Sequence, residues 1–353
     1  MLFDLVTIIV VILILHLPNQ KLDEQASGWF ARLKQLDPIG NLIFFPGVVC
    51  LILALQWGGA QYSWKNARII VLLVFCGILC LTFIGIQIWK KESAMVPPRL
   101  VKQRSIGASM WYNFFNGAGM MVMMYYLPIW FQAIKGASAL NSGIMLLPMI
   151  LSAVVASLSS GFMVAKLGYY TPFFILSSII TTIGAGLFTT FTPTTGHSKW
   201  IGYQVLYGIG LGLGMQQPLN VVQTVLGRSD IATGSALVMF VRFLGPAIFL
   251  PVAQNIFINQ LISKLTNIPG ISPKAVMDAG ATDIKNLATG DDLDRLISDY
   301  NDSIVRVFYI VVATCGATIF GSVLVEWRSL KGRAAEQAGE IAQKKSTRTE
   351  ESV

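Results

Sequence analysis

Arg242 is the residue most at odds with its surroundings. It stands about ten residues inside an apolar run over 232–258, about 15 Å from that run's start at 1.5 Å per helical residue. A charge in hydrocarbon costs at least roughly 2.5 kcal/mol, so a guanidinium at that depth must face other helices or a wet cavity. Two readings are open. One is a pathway residue that meets an anionic group or fixes a gate. The other is a structural arginine whose donors are taken by carbonyls and glutamines of a neighbouring helix. Neutral hydrogen-bonding side chains also stand at membrane depth: Asn113, Asn116, Tyr126, Gln132, Gln204, Gln216, Gln217, Asn220, Gln223 and Gln254. Asn113 and Asn116 are three apart, and Gln216 and Asn220 four apart, so each pair shares a helix face. With Met120, Met121, Met123 and Met124 they would line a substrate cavity, because thioether chains deform to fit varied apolar ligands. The plainer reading is interhelical hydrogen bonding, with the methionines toward lipid.

Other chemistry lacks the residues it needs. No acidic side chain falls inside an apolar run except Asp4, near the end of the first. A proton relay needs a titratable carboxylate or imidazole in the membrane, and this sequence offers none at useful depth. Histidine occurs only at 16 and 197. The cysteines, Cys50, Cys76, Cys80 and Cys315, all lie in apolar runs and read as small hydrophobes rather than a disulfide framework or metal site. There is no glycine-rich phosphate loop, nucleophile elbow or His/Cys/carboxylate cluster. The sequence therefore predicts no enzyme, no cofactor and no metal.

The elements that must position these side chains are nine apolar runs, over 3–17, 39–57, 69–89, 106–130, 140–164, 171–192, 200–226, 232–258 and 304–325. About 20 apolar helical residues cross a bilayer, and water-soluble domains do not carry such a series. The fold class predicted is an all-α membrane protein with about nine transmembrane helices. A 54% hydrophobic and 12% charged composition fits that solvent. The net charge of +8 is spread over short loops and the tail without interleaved aromatics, which argues against a nucleic-acid partner. With the N-terminus outside, sixteen lysines and arginines fall in cytosolic segments and eight in outer ones, so positive-inside bias places the C-terminal tail in the cytosol.

The chain divides accordingly. Residues 1–17 form a short span that lacks the basic lead and A-x-A site of a signal peptide, and reads as the cut edge of a longer protein. Residues 18–37 form a cytosolic linker in which Trp29, Leu33 and Leu36 share a side, as in a helix lying on the leaflet, though a plain solvated linker serves equally. Two linker spans and a basic loop fill 38–104. Six spans fill 105–326, with one long outer loop at 259–303 that is rich in aspartate and is expected to hold short helices, one starting at Ser272 and Pro273. The sequon at Asn301 abuts the last span and is expected to go unused. Residues 327–353 read as a disordered cytosolic tail.

Several passages carry a family likeness. They are Tyr125, Tyr126, Pro128, Phe131 and Gln132, followed by Gly136, Ser138, Ser142, Gly143 and Pro148. Asp37 to Gly40 and the run from Ala54 to Gly59 belong with them, as do Gly208, Gly210, Gly212 and Gly214 with Gln216 and Pro218, and Arg242 with Gly245. Together they resemble the fourteen-span drug:proton antiporter group of the major facilitator superfamily, and look most like fungal multidrug and toxin efflux pumps. The resemblance implies that the first span here corresponds to the family's sixth, the next two to its extra pair, and the last six to its complete C-terminal bundle. Halves of such transporters are repeats, so worn copies of N-terminal motifs are expected. Gly161, Lys166 and Gly168 resemble the loop motif, with Ala165 where an acid is expected. Gln204 and Tyr207 stand where the fourth-span motif has arginine and glutamine, and Gly245 with Pro246 resembles the exporters' Gly-Pro pair. For each, a helix-packing glycine or a loop base is the plain alternative. The implied activity is efflux of small, mostly apolar organic compounds across the plasma membrane, or the vacuolar membrane, resembling proton-driven antiport whose proton carriers lie in the absent half. The alternative is a half-transporter or membrane scaffold without transport of its own. Its bundle face would then need a separate N-terminal half or self-association.

Overall fold

The computed structural model describes residues 37–59, 61–90, 94, 96–265, 280, 284–330 and 332. The expected first span, the interfacial linker before Asp37, the helix at Ser272 and most of the tail lie outside these residues.

The fold is all-α; among the described residues extended pairing is limited to isolated bridges at Gly58–Tyr62 and Tyr169–Ser329. Helix α1 (Pro38–Trp57) starts on Asp37, whose carboxylate accepts from the Gly40 amide at 3.0 Å, and has proline in its first turn, where a missing N–H costs nothing. Helix α2 (Ala67–Lys90) runs back along it. The pair leans on the long helix α10 (Ile231–Leu265): Phe44 meets Phe240 at 5.3 Å, and Asn255 donates to the Leu55 carbonyl at 2.7 Å. A short α3 (Pro98–Lys102) leads into α4 (Arg104–Ala133). Then come α5 (Ala139–Ile144), α6 (Leu147–Leu167), α7 (Thr171–Phe188), α8 (His197–Met215), α9 (Gln217–Val225), α10, a 3-10 turn (Ile284–Asn286) and α11 (Asp291–Leu324).

Four expected spans change shape. The run 140–164 is interrupted before Pro148 and forms α5 and α6, which together cross as one piece, Ala139–Leu167. The run 200–226 breaks at Gln216, because Pro218 has no N–H to give the Gly214 carbonyl one turn back. The run 232–258 continues to Leu265, and the run 304–325 begins at Asp291. Asp291, Asp292 and Asp294 occupy the first turn of α11, where carboxylates complement the helix dipole. Residues read as part of an acidic loop over 259–303 are therefore helix, up to Leu265 on one side and from Asp291 on the other.

Among the described residues six pieces are long and apolar enough to cross a membrane: α1, α2, α5 with α6, α7, α10 and α11. The expected spans 106–130 and 200–226 do form helices, α4 and α8–α9, but are too polar to pass that threshold. Their place in the bundle explains this. Helix α2 has mean hydropathy 3.1 with 11% of its span buried, whereas α7 has 1.6 with half buried. Lipid demands apolar side chains, and only a helix shielded by others can carry polar ones. Helix α4 is such a helix, buried between α10 and α11.

The core divides along the bundle's length. Trp130, Phe131, Phe188 and Phe308 fill one half; Tyr112, Phe174 and Val238 fill the other. At the second end, Arg99 grips Asp230 with both terminal nitrogens at 3.0 and 3.1 Å, Arg104 donates to the Leu324 carbonyl at 2.9 Å, and the Leu330 amide donates to the Gly168 carbonyl at 2.9 Å.

Candidate functional site

Helices α4 and α10 run parallel and touch backbone to backbone through two glycines. A Cβ on Gly117 would strike the Arg242 carbonyl, and a Cβ on Gly245 would strike the Phe114 carbonyl. Pro246 has no N–H to return to the carbonyl of Arg242, four residues back. That freed carbonyl is the one lying against Gly117, so the crossing is set by Gly117, Gly245 and Pro246 together.

The crossing places Arg242 about 17 Å along α10 from Ile231, its side chain partly buried. Its guanidinium reaches the Met215 carbonyl at 3.5 Å and the Met120 sulfur at 4.0 Å. Met215 is the last residue of α8, so its carbonyl belongs to the negative end of that helix, where a cation is welcome. Among the described residues no carboxylate lies within ion-pair distance of Arg242. Behind it runs a buried chain of neutral groups. Asn116 donates to the Tyr112 hydroxyl at 3.4 Å, Tyr112 shares a hydrogen bond of 2.7 Å with Ser177, and Ser177 donates to the Gly210 carbonyl at 2.6 Å.

The glycines of α8 carry two rows of close contact. Gly208 and Gly212 face α6, where a Cβ would meet the carbonyls of Met149 and Ala153. Gly210 and Gly214 face the other way, toward Thr181 and Ser177 of α7, and Gly214 also meets the Tyr112 hydroxyl. Glycine every second residue puts two i, i+4 rows on opposite sides of one helix, so α8 packs closely on both.

The remaining predicted residues scatter. Asn113 is buried and donates to the Val238 carbonyl at 3.0 Å, joining α4 to α10. Gln204 donates to the Met145 carbonyl at 3.0 Å and leaves its own buried amide oxygen without a hydrogen bond. Gln132 donates to Ser142 at 2.9 Å. Asn220 donates to Gln217 at 3.0 Å, while Gln216, at the break, is exposed. Tyr126 lines a separate cavity of about 170 Å³ with Tyr125, Gln254, Phe257 and Tyr300. Gly161 faces outward with open space where a Cβ would stand, and Lys166 lies in the last turn of α6. Gly168 caps that helix at φ 85°, a left-handed conformation that favours glycine, and its amide donates to the Val164 carbonyl at 2.7 Å. The structure thus brings Arg242, Met120 and Asn116 to one crossing, with Met215 beside them. It places Tyr126, Gln132 and Gln204 toward the opposite end.

Sequence reasoning passed over two polar groupings. One is a hydroxyl seam between α7 and α11: Thr318 donates to Ser178 at 2.9 Å, and Ser178 also meets Ser322. Its signal was legible, since Thr314, Thr318 and Ser322 recur every four residues. The other is Asp37, fully buried at 1% exposure, bonded to Lys90 and at 3.2 Å to Gln87. Residues 53 positions apart give no such signal. At the Trp130 end, a cavity of about 550 Å³ is lined by Lys135, Thr194, His197 and Trp200. Burial and the neighbouring Lys285 hold the Lys135 ammonium below the usual lysine range.

No family model matches the chain. Named relatives do. It is 47% identical over 334 residues to the MFS-type efflux pump MFS1 of Arthroderma benhamiae, covering 94% of this chain and 62% of that protein. It is 46% identical to the MFS-type transporter VdtG of Byssochlamys spectabilis, covering 92% of this chain and 58% of that one. It is 45% identical to the efflux pump roqT of Penicillium rubens, covering 92% and 60%. Among solved structures, a bacterial homologue of the human lysosomal transporter Spinster matches 84% of the chain at 14% identity and a TM-score of 0.48, too loose a likeness to build on. The chain spans about three-fifths of the length of the curated relatives it matches. On identity of that order across nearly all of its own length, the chain belongs to the MFS-type transporters of the major facilitator superfamily.

Proposed function

We propose that this chain forms part of a transporter that carries small, mostly apolar organic compounds out across a membrane, by a mechanism resembling proton-driven antiport. The observation that carries the reading is the crossing at Arg242, a cation with no ion-pair partner among the described residues, beside the Met120 side chain and a helix break. Broken helices that offer carbonyls and a few polar groups at membrane depth are how transporters hold ligands where lipid would not tolerate them. The relatives' names support it, since two are called efflux pumps. Arg242, Asn116, Met120 and Gln216 are assigned to the ligand path. Asn113 and the glycines of α8 are assigned to holding it in shape.

The membrane assigned is the plasma membrane, as the likeness to efflux pumps implies, and the C-terminal tail is assigned to the cytosol on the strength of the basic asymmetry. The relatives' further length supports an assembly in which a separate N-terminal half covers the exposed bundle face. Expression in yeast stripped of its own drug pumps, beside the remaining two-fifths of the Arthroderma benhamiae relative, tests the function. Lower steady-state retention of a fluorescent apolar dye supports it. Retention equal to empty-vector cells, with both pieces present at the cell surface, refutes it.

A further inference from the structure

We infer that Arg242 is the anchor for an anionic ligand, and that the compounds handled best are organic acids with one carboxylate or sulfonate on an apolar body. The inference rests on the small-molecule reading above and narrows it to a substrate class.

A guanidinium carries five N–H donors and no acceptor. Two contacts are present. The Met215 carbonyl lies at 3.5 Å, beyond the 2.7–3.2 Å typical of an N–H to oxygen bond, and the Met120 sulfur at 4.0 Å is a weak acceptor. A carbonyl dipole does not neutralise a full charge, and no carboxylate among the described residues does so either. The neighbours behind it are already engaged: Asn116 and Tyr112 point their donors into the chain that ends on the Gly210 carbonyl. The crossing therefore holds a cation in place while leaving most of its hydrogen-bonding fork unspent.

The surroundings fit the rest of such a ligand. Met215 is 37% exposed and Phe243, next to the arginine, 71% exposed, so the charged spot opens onto apolar surface. Gln216 adds an exposed amide at the break. A planar carboxylate matches a guanidinium with two parallel hydrogen bonds, and its apolar body would lie on methionine and phenylalanine. A permanent cation would be repelled. A neutral ester of the same body would keep the apolar contacts and lose the bidentate pair.

The test uses the full chain in lipid nanodiscs at pH 7.5, with protein-free discs subtracted. The probes are 2-naphthoate and its methyl ester, their dissociation constants measured by equilibrium dialysis. The unmodified chain is expected to bind the acid about 10- to 100-fold tighter than the ester, the range of a charge-assisted hydrogen bond. In Arg242→Gln that ratio falls to about one while the ester's affinity is unchanged. Arg242→Lys keeps the charge without the fork, so the ratio falls only part of the way. If Arg242→Gln does not fold, as judged by its elution and melting, the lysine variant carries the comparison. Saturable ester binding with no preference for the acid overturns the anchor and leaves the small-molecule reading standing. So does a preference that survives both substitutions. Binding of neither probe overturns both.

Discussion

Replacing Gly212 by alanine adds one methyl group at a place with no room for it. The new Cβ would meet the Ala153 carbonyl, stand 2.8 Å from the Ala156 Cβ and 2.9 Å from the Ser157 nitrogen. These atoms belong to the body of α6 and cannot swing aside, so α6 and α8 must separate. Overpacking of this kind costs about 1–3 kcal/mol. Alanine also gains about 0.8–1.0 kcal/mol over glycine in a helix interior. The net for Gly212→Ala is therefore between neutral and about 2 kcal/mol destabilising. Gly202, on the same helix, has nothing within 4 Å of its would-be Cβ. Gly202→Ala keeps the propensity gain without the clash and should stabilise by up to about 1 kcal/mol. Thermal unfolding of both variants in one detergent should rank Gly202→Ala above the parent and Gly212→Ala at or below it. The gap should be roughly 1–3 kcal/mol. Equal melting temperatures would mean that α6 and α8 are not in backbone contact, and the glycine ladder would lose its packing role.

Three further outcomes are expected. Asn113→Leu removes the 3.0 Å bond to the Val238 carbonyl and should cost about 0.5–1.5 kcal/mol in the same melt, the range of an interhelical bond in lipid; a gain in stability would show that bond to be idle. Asp37→Ala should destabilise more than Asp37→Asn, by about 1 kcal/mol, because asparagine still caps Gly40 and tolerates the φ of 47° at that position. Equal losses would assign the whole effect to the charge pairing with Lys90. The folded chain holds Lys135 below its ordinary value, so the unfolded chain binds that proton more readily, and this group's share of stability rises with pH just below the ordinary lysine range. Lys285→Gln should move the Lys135 titration upward by removing a like charge, followed by NMR on ¹³C-methylated lysines; an unmoved titration contradicts it.

Lipid makes sequence unusually legible where a helix faces it. α1, α2 and α7 were expected nearly in full, because each must be apolar on its outer side over the bilayer's width. The interior was legible by type and not by partner. Asn113 and Asn116 share a face of α4 by spacing alone, yet one reaches across to α10 and the other bonds within its own helix. Pro218 was in view, but that the helix breaks two residues before it, at Gln216, shows only in the folded chain. The aspartates from 291 to 294 read as loop by composition, and their value to a helix N-terminus depends on where the helix starts. For Arg242 the two sequence readings differed only in what the guanidinium touches. One long contact to a carbonyl and one to a sulfur is a geometric fact that spacing cannot supply.

Flux is the most direct test of the efflux reading. The chain, reconstituted in vesicles with the remaining two-fifths of the Arthroderma benhamiae pump made as a second chain, should accumulate 2-naphthoate saturably under an imposed pH gradient. Accumulation should fall at least several-fold with Arg242→Gln and vanish when the gradient is collapsed. Accumulation no greater than in protein-free vesicles, from an assembled pair of the expected mass, would contradict the assignment of this bundle to efflux.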